Sequence, residues 1–228
     1  MLPRMTSELL TLSSAGGPFR ATSYASSPAP GGPGLVVVHE WYGVTPVMET
    51  LGARFAREGF TVLVPDLYDG KVAADANEAG ALMQAMKTER AVEIIGACVD
   101  DLARRTGKKV GVTGFCMGGA VAFAAAATLG ELACAVPFYG IPRADYFVAE
   151  RMRCPIQAHF AKVDEWARAD RAQALADAIA ARGGEMTLHV YDAGHAFMRE
   201  GDPSVYSPDQ AKIAWGRATA FLHAELDG

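Results

Sequence analysis

Short, nearly continuous apolar runs recur along the chain at residues 35–39, 61–64, 110–113, 133–138, 156–160 and 186–191, and several consist almost wholly of Val, Leu and Ile. Strands covered on both faces carry this pattern, because neither set of alternating side chains has to meet water. Between the runs, apolar residues return every three or four positions, the spacing that gathers them on one face of a helix. This predicts helices from Pro46 to about Gly59, over 77–86, over 90–105, from Met117 onward, over 168–181 before Gly183-Gly184, and from Ser207 or Asp209 to about Glu225. Thr45 is expected to cap the first of them through its hydroxyl, with Pro46 where a missing N–H costs nothing.

Strand and helix alternate, so the sheet is expected to be mainly parallel and doubly wound, an α/β fold. Ahead of it, residues 8–12 and 19–24 flank Gly16-Gly17 and should form an antiparallel hairpin. The Pro-, Gly- and Ser-rich stretch 26–34 is a connecting loop, and no other shift in composition or internal repeat divides the chain. A single domain over residues 1–228 is the expectation.

Composition narrows the function classes. A chain of 228 residues buries roughly 70% of its unfolded surface as one domain and needs no disulfide or metal staple. Half the residues are hydrophobic and 21% are charged, which excludes a disordered or fibrous protein. The net charge is −5 with both signs scattered and no basic run, which argues against a nucleic acid or an anionic membrane as partner. The first 14 residues hold one arginine and only the short apolar pair Leu9-Leu10, too little for a signal-peptide core. The longest apolar stretch, 120–129, is about half of a membrane span, so a soluble cytoplasmic protein is expected. The four cysteines form no C-x-x-C pair and have no histidine at zinc spacing, so neither a metal nor a disulfide framework is expected.

The candidate chemistry begins at Gly114-Phe115-Cys116-Met117-Gly118-Gly119, between an apolar run and an apolar helix. Glycines around one reactive residue at a strand-to-helix turn are what a nucleophile elbow needs, because a turn so tight leaves no room for neighbouring side chains. Cys98, Cys134 and Cys154 sit among apolar neighbours and are expected to be inert buried hydrophobes. In an open parallel sheet ligands meet the carboxyl ends of the strands, and the polar residues just past the apolar runs are Glu40, Asp66, Asp164 and His195. Cys116, Asp164 and His195 follow one another in the order nucleophile, acid, histidine of an α/β-hydrolase triad. A free thiol is only a few per cent thiolate at neutral pH, so His195 would activate it while Asp164 orients the imidazole.

Glu165 and Asp170 compete with Asp164, which is nearest the strand end. Asp66, in Pro65-Asp66-Leu67-Tyr68, could serve a rival arrangement but more simply ties down a turn. His39, His159 and His189 lie within strands and read as structural, and His223 as solvated on the last helix. From the residues alone, Glu40 is equally well an ordinary loop residue.

Four stretches together resemble the dienelactone hydrolase family, a cysteine-using branch of the α/β hydrolases: His39-Glu40-Trp41-Tyr42-Gly43-Val44, Pro65-Asp66-Leu67-Tyr68, the cysteine elbow, and Gly194-His195-Ala196-Phe197. With the element order they cover the chain from about Leu9 to Leu222. The resemblance implies an α/β-hydrolase fold and a cofactor-free, metal-free hydrolase of small esters or lactones that is monomeric. It implies Cys116 as nucleophile, Asp164 and His195 as its partners, and Glu40 as a second acceptor of the thiol proton when substrate arrives. The backbone N–H groups of Trp41 and Met117 would form the oxyanion hole, and Arg199 would grip a substrate carboxylate unless it is a loop arginine paired with Glu200.

The chain departs from the family's founding enzymes in one respect. They carry a second carboxylate-binding arginine after the Pro-Asp-Leu-Tyr stretch, whereas residues 69–86 hold only Lys71 as a cation, and lysine lacks the planar fork. The pocket wall is expected from loops 68–76, 144–151 and 197–207. Two other functions are compatible with the sequence: a generalist carboxylesterase or thioesterase, and a non-catalytic hydrolase-fold protein that binds a small carboxylate.

Overall fold

The computed structural model describes residues 5–26, 31–144, 151–152 and 154–227. Part of the connecting loop (27–30) and most of the expected pocket-wall loop 144–151 lie outside the described residues.

The apolar runs are strands and their order makes one sheet. Strands β1 (Met5–Ser14), β2 (Gly17–Ser26), β3 (Gly34–Val38), β4 (Thr61–Pro65), β5 (Val110–Phe115), β6 (Cys134–Phe138), β7 (Ile156–Val163) and β8 (Met186–Gly194) lie in the order β1-β2-β4-β3-β5-β6-β7-β8. The predicted hairpin is β1 and β2, paired antiparallel from Met5↔Ser26 to Ser14↔Gly17, and β2 continues antiparallel onto β4. Every later pairing is parallel. All residues of β3, β4, β5 and β6 are buried, as their unbroken apolar sequences require, whereas the outer strand β1 has no fully buried residue.

The helices are α1 (Pro46–Arg57), α2 (Ala76–Ala85), α3 (Thr88–Thr106), α4 (Met117–Thr128), α5 (Ala169–Ala180) and α6 (Pro208–Leu226). Helix α3 buries Ile94, Ile95, Cys98 and Leu102 along one stripe, and α1 meets α6 where Phe55 lies 4.3 Å from Trp215 between ring centroids. Helix α4 is apolar all round and is buried from Met117 to Ala127 save for Ala120. Helix α2 is the exception, with Ala79 as its one buried residue.

One helix start differs from expectation in its cap, and another shares the same backbone arrangement. Thr45 stands at the N-cap of α1 but its hydroxyl makes no capping bond, and Ser207 at the start of α6 likewise caps without its side chain. In both, the backbone does the work: Thr45 and Ser207 accept the Glu49 and Ala211 N–H groups at 3.1 and 2.8 Å, and proline at the first helical position removes one orphan donor.

Strand order positions the site. From β3 the chain moves to β4 on one side, and from β5 to β6 on the other, so β3 and β5 flank the point where the winding reverses. The carboxyl ends of such neighbours leave a crevice, since their following segments lead away in opposite directions. Glu40 and Trp41 follow β3 there and Cys116 follows β5.

Candidate active site

Cys116 occupies the turn between β5 and α4 with φ 55° and ψ −118°. A residue with a side chain rarely adopts positive φ, and holding it so costs on the order of 1–3 kcal/mol, which the surrounding structure must supply. Here the elbow is pinned: the Cys116 N–H donates to Phe138 O at 3.1 Å, and the Cys116 carbonyl accepts from Gly119 and Ala120 N–H at 3.0 and 3.2 Å. The glycines are dictated by contact. A Cβ on Gly118 would lie 2.4 Å from Val38 O and 2.6 Å from His39 O, and one on Gly114 only 2.2 Å from Gly118 O.

The turn aims the thiol at His195. Nε2 of the imidazole is 3.2 Å from Cys116 Sγ, and Nδ1 is 2.6 Å from Asp164 Oδ2. A carboxylate can only accept, so Nδ1 carries a proton, and Nε2 is left to share one with the thiol. The other oxygen of Asp164 accepts the Trp166 and Ala167 N–H groups at 2.9 and 2.8 Å. An irregularity in the β7–β8 register between Ala161 and Val163 immediately precedes this aspartate, and such bulges re-aim the residues beside them.

The electrostatics follow from these bonds. Burial alone would push the Asp164 carboxyl up, but hydrogen bonds from His195 and from the Ala167 and Trp166 amides outweigh it and hold the pKa below the usual range. Burial likewise opposes the charged imidazole, yet its bonds to Asp164 and Cys116 raise its pKa from 6.5 to about 9. A proton released by Cys116 therefore has a stable place 3.2 Å away.

Glu40 is 3% exposed and its partner is Arg199, whose Nε donates to Oε2 at 2.9 Å. Burial pushes the Glu40 carboxyl up despite the guanidinium beside it. Arg199 thus pairs across the crevice, not with its neighbour Glu200, and its second contact is Asp202 at 3.8 Å. His39 holds this loop in place: its Nδ1 donates to Glu40 O at 2.6 Å and its Nε2 accepts the Leu67 N–H at 3.1 Å. It is the structural histidine its strand position suggests, as is buried His159, bonded to the Tyr191 hydroxyl. His223 is more than a solvated residue, stacking on Phe60 at 4.6 Å. Asp66 ties its turn by accepting the Tyr68 N–H, Asp170 is engaged by Arg168, and Cys98, Cys134 and Cys154 are buried.

A cleft of about 660 Å³ opens at Cys116, lined by Trp41, Met117 and His195 at its base. The Met117 N–H is the first donor of α4 and has no carbonyl one turn earlier to bond, so it is available to charge at the thiol. Arg199 lines this cleft; Lys71 does not, lying instead in a separate depression with Arg20 and Asp66. The wall near residues 68–76 is likewise not where expected: the C-terminal end of α2 forms it, with Met83 and Met86.

Sequence reasoning missed Tyr139. It is fully buried with φ 33°, its ring lies edge-on to His195 at 5.2 Å, and its hydroxyl has no hydrogen-bond partner among the described residues. Nothing in Phe138-Tyr139-Gly140 signals this locally, because its neighbours here come from the ends of three strands.

The model of the dienelactone hydrolase family matches residues 19–226. Protein usf of Aquifex pyrophilus is 37% identical over 218 residues, covering 91% of this chain and 94% of that protein. A carboxymethylenebutenolidase of a Pseudomonas strain is 32% identical over 231 residues, covering 96% and 95%. Among solved structures, a dienelactone hydrolase-like promiscuous phosphotriesterase from metagenomic libraries superposes with a TM-score of 0.85 at 20% identity, covering 97% of this chain and 99% of that one.

Proposed function

Because the chain belongs to the dienelactone hydrolase family and is a carboxylic ester hydrolase, we propose that it cleaves small esters or lactones through a Cys116 thioester, with His195 and Asp164 completing the triad. The observation that carries this is the line Sγ to Nε2 at 3.2 Å and Nδ1 to Oδ2 at 2.6 Å, beginning at a cysteine in an elbow.

The Cys116 proton passes to Nε2 of His195, and Asp164 stabilises the imidazolium. The sulfur attacks the ester carbonyl, and the N–H groups of Met117 and Trp41 hold the resulting oxyanion; each such donor typically contributes about 3 kcal/mol. As the carbonyl re-forms, the C–O bond breaks and the leaving oxygen takes the proton from Nε2; in a lactone that hydroxyl stays tethered to the acyl group. His195 then removes a proton from water, hydroxide attacks the thioester, and the acid leaves as sulfur recovers its proton.

The family resemblance gives Glu40 a second route for the thiol proton. Glu40 is held by Arg199, so that route opens only when something anionic draws the guanidinium away. A substrate carboxylate bound by Arg199 in two parallel bonds has the right charge and shape.

Intact-mass analysis after mixing with an activated ester tests the proposal. The expected result is one acyl adduct, absent in Cys116→Ala; an unmodified protein that still turns over ester, or a Cys116→Ala variant that turns over as fast, would contradict it.

A further inference from the structure

The cleft continues well past the reacting atoms. Ala120 and Ala124 line it from α4, one and two turns beyond the elbow, or about 6 and 12 Å along the helix axis. Facing side chains are Met83, Met86, Ile141 and Trp166. The result is an arm floored by methyl groups and walled by sulfur and hydrocarbon.

Among the described residues, two of its apolar members lie open to solvent. Met83 is 38% exposed, and Trp166, at 77%, is the most exposed large apolar side chain among the described residues. The rim's backbone is anchored, because the Trp166 amide N–H donates to Asp164 Oδ1 at 2.9 Å. The residue that orients the imidazole therefore also holds the main chain that carries this rim. Methionines opposite it can adapt to different shapes, since their thioether chains have three soft torsions. Gln84, Thr88, Arg143 and Arg199 also reach this cleft, and Arg199 is engaged by Glu40.

We propose that this arm binds a medium-length aliphatic or aryl group of the ester, so that the protein prefers apolar esters over acetate-sized ones. This rests on the Cys116 esterase reading and names its substrate class. Removing methylenes from water along the arm tightens the transition state, and one fully buried methylene corresponds to about fourfold.

The test uses two series: p-nitrophenyl acetate through octanoate, which varies the acyl side, and ethyl through hexyl acetate, which varies the alcohol side. The value of kcat/KM should rise about fourfold per methylene in one series until the arm is filled, and the series that rises identifies the side. Ala120→Leu, which fills the arm one turn from the thiol, and Met83→Glu, on a half-exposed surface that tolerates charge, should each lower the long-to-short ratio of the rising series at least tenfold. A flat profile in both series, or an unchanged ratio in both variants, overturns the proposal. Binding to Cys116→Ala, read by tryptophan fluorescence from Trp41 and Trp166, separates the arm from the chemistry. Methyl hexanoate binding at least tenfold tighter than methyl acetate, or hexyl acetate at least tenfold tighter than ethyl acetate, supports the arm even if no ester is hydrolysed, a failure that would count against the esterase reading instead. Equal binding within both pairs overturns the arm.

Discussion

The elbow after β5 and the helix α2 face the same cleft and are built in opposite ways. Around Cys116 the backbone is so crowded that a single methyl on Gly118 would meet two carbonyl oxygens at 2.4 and 2.6 Å. Helix α2 buries only Ala79, and a methyl added to Gly80 would meet nothing within 4 Å. The difference separates two tasks. Bond-making needs atoms fixed to a few tenths of an ångström, so it sits where the sheet over-determines the backbone. The choice of substrate needs only a surface of suitable chemistry, which a loosely packed helix supplies and can change at little cost to stability.

The largest expected effect lies on the crowded side. Asp164→Asn removes the acceptor that fixes the His195 tautomer while leaving the cleft wall intact, and kcat should fall about 10⁴-fold with the ratio between long and short esters preserved. A change in that ratio would show that the two regions are not separate.

The same substitution made on the two sides should have opposite signs. Gly118→Ala forces β3 and α4 apart and should cost about 3 kcal/mol, whereas Gly80→Ala should stabilise by about 0.5–1 kcal/mol because alanine favours the helix. Urea midpoints of the two variants measure this. If both shifts were small, the close approach at the elbow would not be a constraint.

A smaller effect is the pH dependence of stability. Burial pulls the His195 pKa down, but its bonds to Asp164 and Cys116 raise it from 6.5 to about 9, so above pH 6.5 the folded protein keeps a proton that the unfolded chain releases. The stabilisation is complete below about pH 6.5, declines above it, and is lost as pH passes about 9. The parent should therefore lose its advantage over His195→Gln in urea midpoint between pH 6 and 10. A constant difference would contradict the raised value.

How far each region is legible in the sequence follows from the same contrast. The elbow announces itself because crowding demands glycine at positions 114, 118 and 119, and strands buried on both faces must be continuous in apolar residues. Asp164 and His195 could be read from their places just past apolar runs. The Glu40–Arg199 pair could not, since it joins residues 159 positions apart through folding alone. Tyr139 directly follows an apolar strand run and reads as one more aromatic of it, and Met83 and Met86 look like any helical face because α2 leaves open which side the cleft lies on. The expected hydroxyl cap at Thr45 is not made, because residue type gives a preference and not a rotamer.

The central claim is that one thiol of four is activated, and by His195. Iodoacetamide labelling of the folded protein at pH 7, followed by peptide mass spectrometry, tests it directly. Modification is expected at Cys116, with none at Cys98, Cys134 or Cys154 on the same timescale, and with a Cys116 rate at least tenfold lower in His195→Ala. Equal rates with and without the imidazole, or labelling spread over the buried cysteines, would contradict it.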